Sequence, residues 1–243
     1  MTFTEYVQNV RFHTIQPDTP IQTWGESYEE RADFELLNLQ LPDTVTKERW
    51  ACLRDVPRLS TFANAAIINY GVSCLPADSC YLNVGTWHGF SLFAGMVDNP
   101  DKHCIGVDNF SGLKQSHPKA VDKPATPFFT RFNQMKGERH TFHQMDYAKY
   151  LKTVHQMPIG FYFYDGEHSY LSQLQGLRLA EPFFTDNCIV MVDDTNWPAP
   201  RNATLDFFKH SPNTYRILLD QTTASGGGHP TFWNGIIVFE RTS

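Results

Sequence analysis

Phe161-Tyr-Phe-Tyr-Asp-Gly-Glu-His168 and Cys188-Ile-Val-Met-Val-Asp-Asp-Thr195 decide the fold of this 243-residue chain. Each is a short apolar run that stops abruptly on acid. A strand buried on both faces of a parallel sheet reads as such a run, and its carboxyl end opens on the crevice where an α/β sheet binds ligands. Two such strands lying side by side bring Asp165, Asp193 and Asp194 to one mouth. Three like charges at that spacing require a cation or protons.

The surrounding pattern is regular. Cys80–Val84 and Cys104–Val107 read as strands with a helix over Ser91–Val97 between them, and Thr141–Met145 reads as a short strand ending at Asp146. Helices are predicted at Phe128–Met135, Tyr147–His155, Tyr170–Phe183 and Arg201–Lys209. Strands alternating with helices mean βαβ units, hence an α/β fold with a mostly parallel sheet and helices on both faces. The end departs from this: Tyr215–Leu219 and Gly235–Glu240 have no helix between them, which predicts an antiparallel C-terminal hairpin closing one sheet edge. Their linking loop, Thr222–Thr231, is long and Gly-rich and is expected to be mobile near the strand ends. Ser60–Gly71, with a Ser/Thr cap and a terminal Gly, reads as a helix serving as a lid or a wall of the crevice. Residues 1–59 form an irregular extension punctuated by Pro17, Pro20, Pro42 and Pro57, with one acidic amphipathic helix at Tyr28–Leu37, and 60–243 form the main domain.

Composition bounds the partners. A net charge of -6 with no basic stripe argues against nucleic acid, and no apolar run reaches the length of a membrane span. The first residues lack the pattern of a secretion signal, so the expected location is cytoplasmic. Five widely spaced cysteines without a CxxC read as buried free thiols. Aromatic residues make up 14% of the chain, enough for pocket walls or a homodimer interface.

Two motifs carry chemistry beside the acids. In Asn83-Val-Gly-Thr-Trp-His-Gly89, Gly85 and Gly89 let a ligand approach the backbone and let a helix start tightly against the strand. The spacing is neither GxGxxG nor a P-loop, which disfavours NAD and nucleoside triphosphates. Gly106-Val-Asp-Asn-Phe-Ser-Gly-Leu113 puts Asp108 about twenty residues past the glycines, where an acid accepts bonds from ribose hydroxyls. That ribose belongs to NAD and to S-adenosylmethionine alike.

With Tyr164-Asp-Gly-Glu-His-Ser-Tyr170 and Val192-Asp-Asp-Thr-Asn-Trp197 added, the order of motifs resembles class I S-adenosylmethionine-dependent methyltransferases. The resemblance runs from about residue 60 to the end. It is strongest to the metal-dependent macrolide-sugar and aminocoumarin O-methyltransferases and the cephalosporin-hydroxylase-like proteins. It implies the Rossmann-like seven-stranded sheet of that class. It also implies a cofactor site in which Gly85 and Gly89 line the methionine portion with Asn83 near its ammonium, Asp108 holds the ribose and Asp146 reaches the adenine, with Thr86 and Asn109 among the cofactor-binding residues. Asn83 departs from the acid that many members carry there, and supplies no charge. The resemblance further implies a divalent cation, Mg or Mn, on Asp165, Asp193 and Asp194. Such an ion lowers the pKa of a substrate hydroxyl. His168 is the candidate base, since imidazole is the side chain suited to proton transfer near neutral pH, with Asp165 as the substitute. Asp193-Asp194 also reads as a helix-capping pair and His168 as the opening of the next helix. His88 and His229 lie on loops expected near the site, and Trp197 and Trp233 are expected either to cover substrate or to pack at its rim.

The expected activity is therefore metal-dependent O-methyl transfer to a hydroxylated small molecule, with glycosides among the candidates. The competing readings are a cofactor-binding but inactive protein of the same fold and, further off, an NAD-dependent oxidoreductase.

Overall fold

The structure, a computed structural model, describes residues 1–43, 47–111, 124–225 and 228–242. Gly112 and Leu113 of the stretch after the second long strand, and Gly226 and Gly227 of the linking loop, lie outside them. The N-terminal part holds α1 (Phe3–Gln8), β1 (Arg11–Phe12), α2 (Tyr28–Asn38), β2 (Leu39–Gln40) and a 3-10 turn at Lys47–Leu53. The main domain follows with α3 (Phe62–Ser73), β3 (Cys80–Val84), α4 (Phe90–Met96), β4 (His103–Val107), α5 (Ala125–Met135), β5 (His140–His143) and α6 (Tyr147–Thr153). It closes with β6 (Ile159–Tyr164), α7 (Tyr170–Ala180), β7 (Phe184–Val192), α8 (Pro198–His210), β8 (Thr214–Gln221) and β9 (Ile236–Thr242).

Seven strands form one sheet in the order β5-β4-β3-β6-β7-β9-β8. β3 to β7 run parallel, and β9 inserts antiparallel between β7 and β8. The expected parallel sheet and C-terminal hairpin are both present, and the architecture is the Rossmann-like fold of class I methyltransferases.

Register is what builds the site. Val84 pairs with Val107 and with Tyr164, and Tyr164 pairs with Val192, so four strand ends lie level. Gly85, Asp108, Asp165 and Asp193 are the next residues, and they emerge in one row. The chain goes from β3 outward to β4 on one side and later to β6 on the other, which makes the β3/β6 boundary the switch point where such sheets open a crevice.

Two apolar layers flank the sheet. One packs α3, α4 and α5 through Phe62, Phe93 and Phe128; the other packs α6, α7 and α8 through Tyr150, Leu177 and Phe207. Helix α3 is buried from Phe62 to Asn69, where the Asn64 and Asn69 amides donate to Ser60 Oγ and Ala94 O. It is therefore no lid: only the segment leading into it reaches the crevice. The N-terminal extension is welded to the first layer, since Tyr6 stacks on Tyr70 at 4.0 Å and Phe3 meets Phe161 edge-on at 5.9 Å. All five cysteines are free thiols, but only Cys80, Cys104 and Cys188 are buried; Cys52 and Cys74 are exposed. Among the described residues no helix is long and apolar enough to cross a membrane.

Candidate active site

The crevice is a cavity of about 780 Å³ that runs from the ends of β4 and β5, past β3 and β6, to the loop before β9. Gly85, Thr86, Asp108, Asn109, Asp146, Asp165, His168 and Asp194 all line it.

Its first half is built on the turn after β3. Gly85 has φ +81, and a Cβ there would come within 1.9 Å of the Asp165 carbonyl oxygen, so only glycine lets the two strand ends close on each other. Asp108 locks the turn from the side. Its Oδ2 accepts from the Thr86 and Trp87 amides at 2.7 and 2.8 Å, and its Oδ1 accepts from Phe110 N at 2.6 Å. Charge-assisted bonds of this kind contribute about 1.5–3 kcal/mol each. The carboxylate thus holds the Gly85 turn rigid and still has lone pairs for a ligand's hydroxyls. Asn109 Oδ1 accepts from Ser111 N at 2.9 Å, and Asp146 caps α6 by accepting from Lys149 N at 2.9 Å.

Two residues expected at the ligand stand elsewhere. Asn83 is fully buried and does not line the cavity; its amide donates to Gly85 O at 3.4 Å and accepts from Ser91 Oγ at 3.2 Å, tying the turn to α4. Gly89, at φ +95, is required because a Cβ would meet the Phe93 ring at 2.4 Å; it serves helix packing. His88 and His229 do not line the cavity either. His229 is buried, bonded to Thr19 O and Thr231 Oγ1 at 2.9 and 2.7 Å.

The second half gathers the acids. Burial first, then the charges of Asp193, Asp194 and Asp108, push the Asp165 carboxyl well above the usual carboxylate range. Burial and Asp194 do the same to Asp193, which turns off the cavity and accepts from Asp194 N at 2.8 Å. His168 Nε2 sits 2.9 Å from Asp194 Oδ2 and 3.9 Å from Asp165 Oδ1. Its other nitrogen, Nδ1, is buried with no partner among the described residues.

This arrangement does not fit the expected cation. The imidazole Nε2 lies within reach of both the Asp165 and Asp194 carboxylates, and Asp193 does not line the cavity. Among the described residues no group of three or more His, Cys, Asp or Glu side chains is placed to hold a metal ion. The charge between the acids is met by a ring that can carry a proton.

Four of the walls carry backbone strain. Trp87, Phe110, Asp194 and Trp233 have φ of 46°, 55°, 57° and 53°, and all four line the cavity. Bulky residues in the left-handed region cost free energy, and such strain collects where side chains are aimed at a ligand. Trp197 and Trp233 are both walls, and the Trp197 ring stands edge-on to His168 at 5.7 Å. Sequence reasoning missed Arg58, Leu59, Trp87 and Asn234, which also line the cavity. The Asn234-Gly235 pair is a turn signal, but it says nothing of where the amide points.

Comparison with known proteins agrees with this geometry. Residues 82–195 match a family model described as a methyltransferase domain, and that stretch holds the β3 turn, Asp108, Asp165 and the Asp193-Asp194 pair. Among solved structures, the cofactor-bound protein Rv0187 from MTB superposes with a TM-score of 0.57 at 13% identity, over 79% of this chain and 87% of that one. The O-methyltransferase NovP gives 0.57 at 15% identity, covering 74% of this chain and 80% of its own. An O-methyltransferase from Bacillus cereus, in complex with SAH, gives 0.54 at 10% identity, covering 83% and 94%. At these identities the likeness is one of fold. No curated protein matches the sequence.

Proposed function

We propose that the protein is an S-adenosylmethionine-dependent O-methyltransferase acting on a hydroxylated small molecule. The observation that carries the reading is a single cavity with a ribose-competent carboxylate and a glycine turn at one end and a histidine-acid pair at the other. The methyltransferase-domain match over 82–195 and the fold neighbours solved with SAM or SAH support it.

The first half fits the cofactor. Gly85 leaves the backbone bare, Asp108 offers its remaining lone pairs to the ribose diol, and Asp146 stands beside the adenine end. When bound, S-adenosylmethionine supplies an electrophilic methyl group on a sulfonium. The chain's own residues handle the hydroxyl. His168 takes the hydroxyl's proton, and the Asp194 carboxylate, 2.9 Å from its Nε2, steadies the imidazolium that results. Asp165 stands on the same side, its Oδ1 3.9 Å from the ring nitrogen. Trp197 and Trp233 exclude water around the hydroxyl and hold the body of the acceptor. No step passes through a cation.

Calorimetric titration with S-adenosylhomocysteine tests the reading. Saturable one-to-one binding, abolished when the β3 turn is blocked by Gly85→Val, is the expected result. Absence of binding by the intact protein overturns the proposal, and binding without transfer to any hydroxylated compound favours the inactive reading.

A further inference from the structure

Asn234 is 1% exposed, it lines the acceptor end of the cavity, and neither its Nδ2 nor its Oδ1 has a partner among the described residues. A carboxamide withdrawn from water with both ends unpaired is costly, and buried groups of this kind occur where something outside the fold completes them. Its carbonyl and the backbone of the next residue, by contrast, are bonded. Asn234 O accepts from Asn196 N at 2.9 Å, Gly235 O accepts from Thr195 N at 3.1 Å, and Gly235 N donates to Phe232 O at 3.0 Å. These bonds pin the turn against the segment that follows Asp194. The preceding residue, Trp233, is held in the left-handed region and anchored through Thr223 Oγ1, which donates to its carbonyl at 2.9 Å. The turn is therefore rigid, strained and built around a side chain with no work inside the protein.

The geometry points to Asn234 as a specificity-determining residue that reads the acceptor. An amide that can donate from one atom and accept on the other is completed by a group that does both. The acceptor therefore carries, next to the hydroxyl that is methylated, a second hydroxyl or an amide. This deepens the O-methyltransferase reading and rests on it. It assigns to the loop before β9 the choice among hydroxylated compounds, while His168 performs proton removal on whichever is bound.

The test uses protein loaded with S-adenosylhomocysteine and three probes: catechol, salicylamide and phenol. The Asn234 side-chain amide signal in a nitrogen-15 correlation spectrum is assigned by its loss in Asn234→Leu, and each probe is titrated. The signal is expected to move with catechol if the neighbour is a hydroxyl, with salicylamide if it is an amide, and with phenol least. In Asn234→Leu the affinity for the favoured probe, taken as a ratio to phenol, should fall about tenfold, the effect of one lost hydrogen-bonding site. The same variant should melt no lower than the parent, because an apolar side chain of similar volume removes an unsatisfied amide. A signal that moves with neither catechol nor salicylamide overturns the assignment, as does a Leu variant that loses stability while the affinity ratio holds. If S-adenosylhomocysteine does not bind at all, the underlying reading fails and this one fails with it; binding with a silent Asn234 overturns this one alone.

Discussion

At the scale of single residues, the site turns on His168. Its Nε2 lies 2.9 Å from Asp194 Oδ2, and that bond fixes the ring. Replacing the ring in His168→Ala should lower kcat by about 10²–10⁴-fold, the usual worth of a positioned general base, with S-adenosylhomocysteine affinity changed less than about twofold. Comparable losses in both would make His168 a cofactor contact instead. The same nitrogen decides the question of the ion. With His168 between the acids, transfer should survive dialysis against a chelator, measured as product formed per minute before and after added Mg. Activity lost on chelation and restored by Mg would show that the ring swings away and that Asp165, Asp193 and Asp194 take up the metal together. The acids were legible in the sequence because each ends an apolar run, and their number announced a charge problem. What compensates them was not legible, since a ring at 2.9 Å and an ion with a carboxylate shell have the same sequence signature.

At the scale of elements, the strands were the readable part. β3 was placed to the residue and β6 nearly so, because buried parallel strands are uninterrupted and end sharply. Boundaries slipped where the signal was a cap: α8 starts at Pro198, a proline in the first turn, three residues ahead of the Arg201 expected from helix-forming content. α1 escaped notice at six residues, although Thr2 and Glu5 form a capping box. The two-residue strands β1 and β2 are too short to have a periodicity at all. Asn83 is expected near the cofactor through the family resemblance alone, and it is buried because both faces of β3 are covered.

The end of α6 also makes a pH prediction. His155 is buried against Phe183, with Nδ1 3.1 Å from the Tyr150 hydroxyl, and burial lowers its pKa to about 4. A base whose folded pKa is depressed takes up its proton in the unfolded chain first, so its stabilising contribution is complete above pH ~6.5 and drains away as pH falls toward 4. The loss is roughly 3 kcal/mol at most. Urea melts at pH 7.5 and 4.5 should differ less for His155→Phe than for the parent, and an equal pH dependence in both would clear His155 of the effect.

At the scale of the whole molecule, the N-terminal extension and the main domain share one core, though proline punctuation had set residues 1–59 apart. Tyr6 and Val7 are buried in the same layer as Phe161, and Arg58 pairs with Glu35 at 3.1 Å beside the cavity. Deleting residues 1–12 should therefore lower stability by about 3–6 kcal/mol, the burial worth of two or three large apolar side chains taken as an upper estimate. Thermal unfolding should show one transition before and a single, lower one after. A truncated protein melting at the parent's temperature would mean that the extension is a separate unit. The extension also reaches the acceptor wall: Ala224 N donates to Pro17 O at 2.8 Å and Trp24 stands edge-on to Trp233 at 6.0 Å. The described part of the Gly-rich loop is accordingly tied down, with Asn196 holding Thr223 and Ser225. This coupling was invisible in the sequence because the partners are some two hundred residues apart. One contact gives the molecule its ruler. Where Gly85 abuts the Asp165 carbonyl, backbone meets backbone, and the span between the two ends of the cavity is set by main-chain atoms that substitutions in the cavity walls leave in place. The wall around Asn234 can therefore diverge, or be exchanged by design, to admit new acceptors without resetting the reach of the transferred group, whereas any side chain at Gly85 pries the two ends apart.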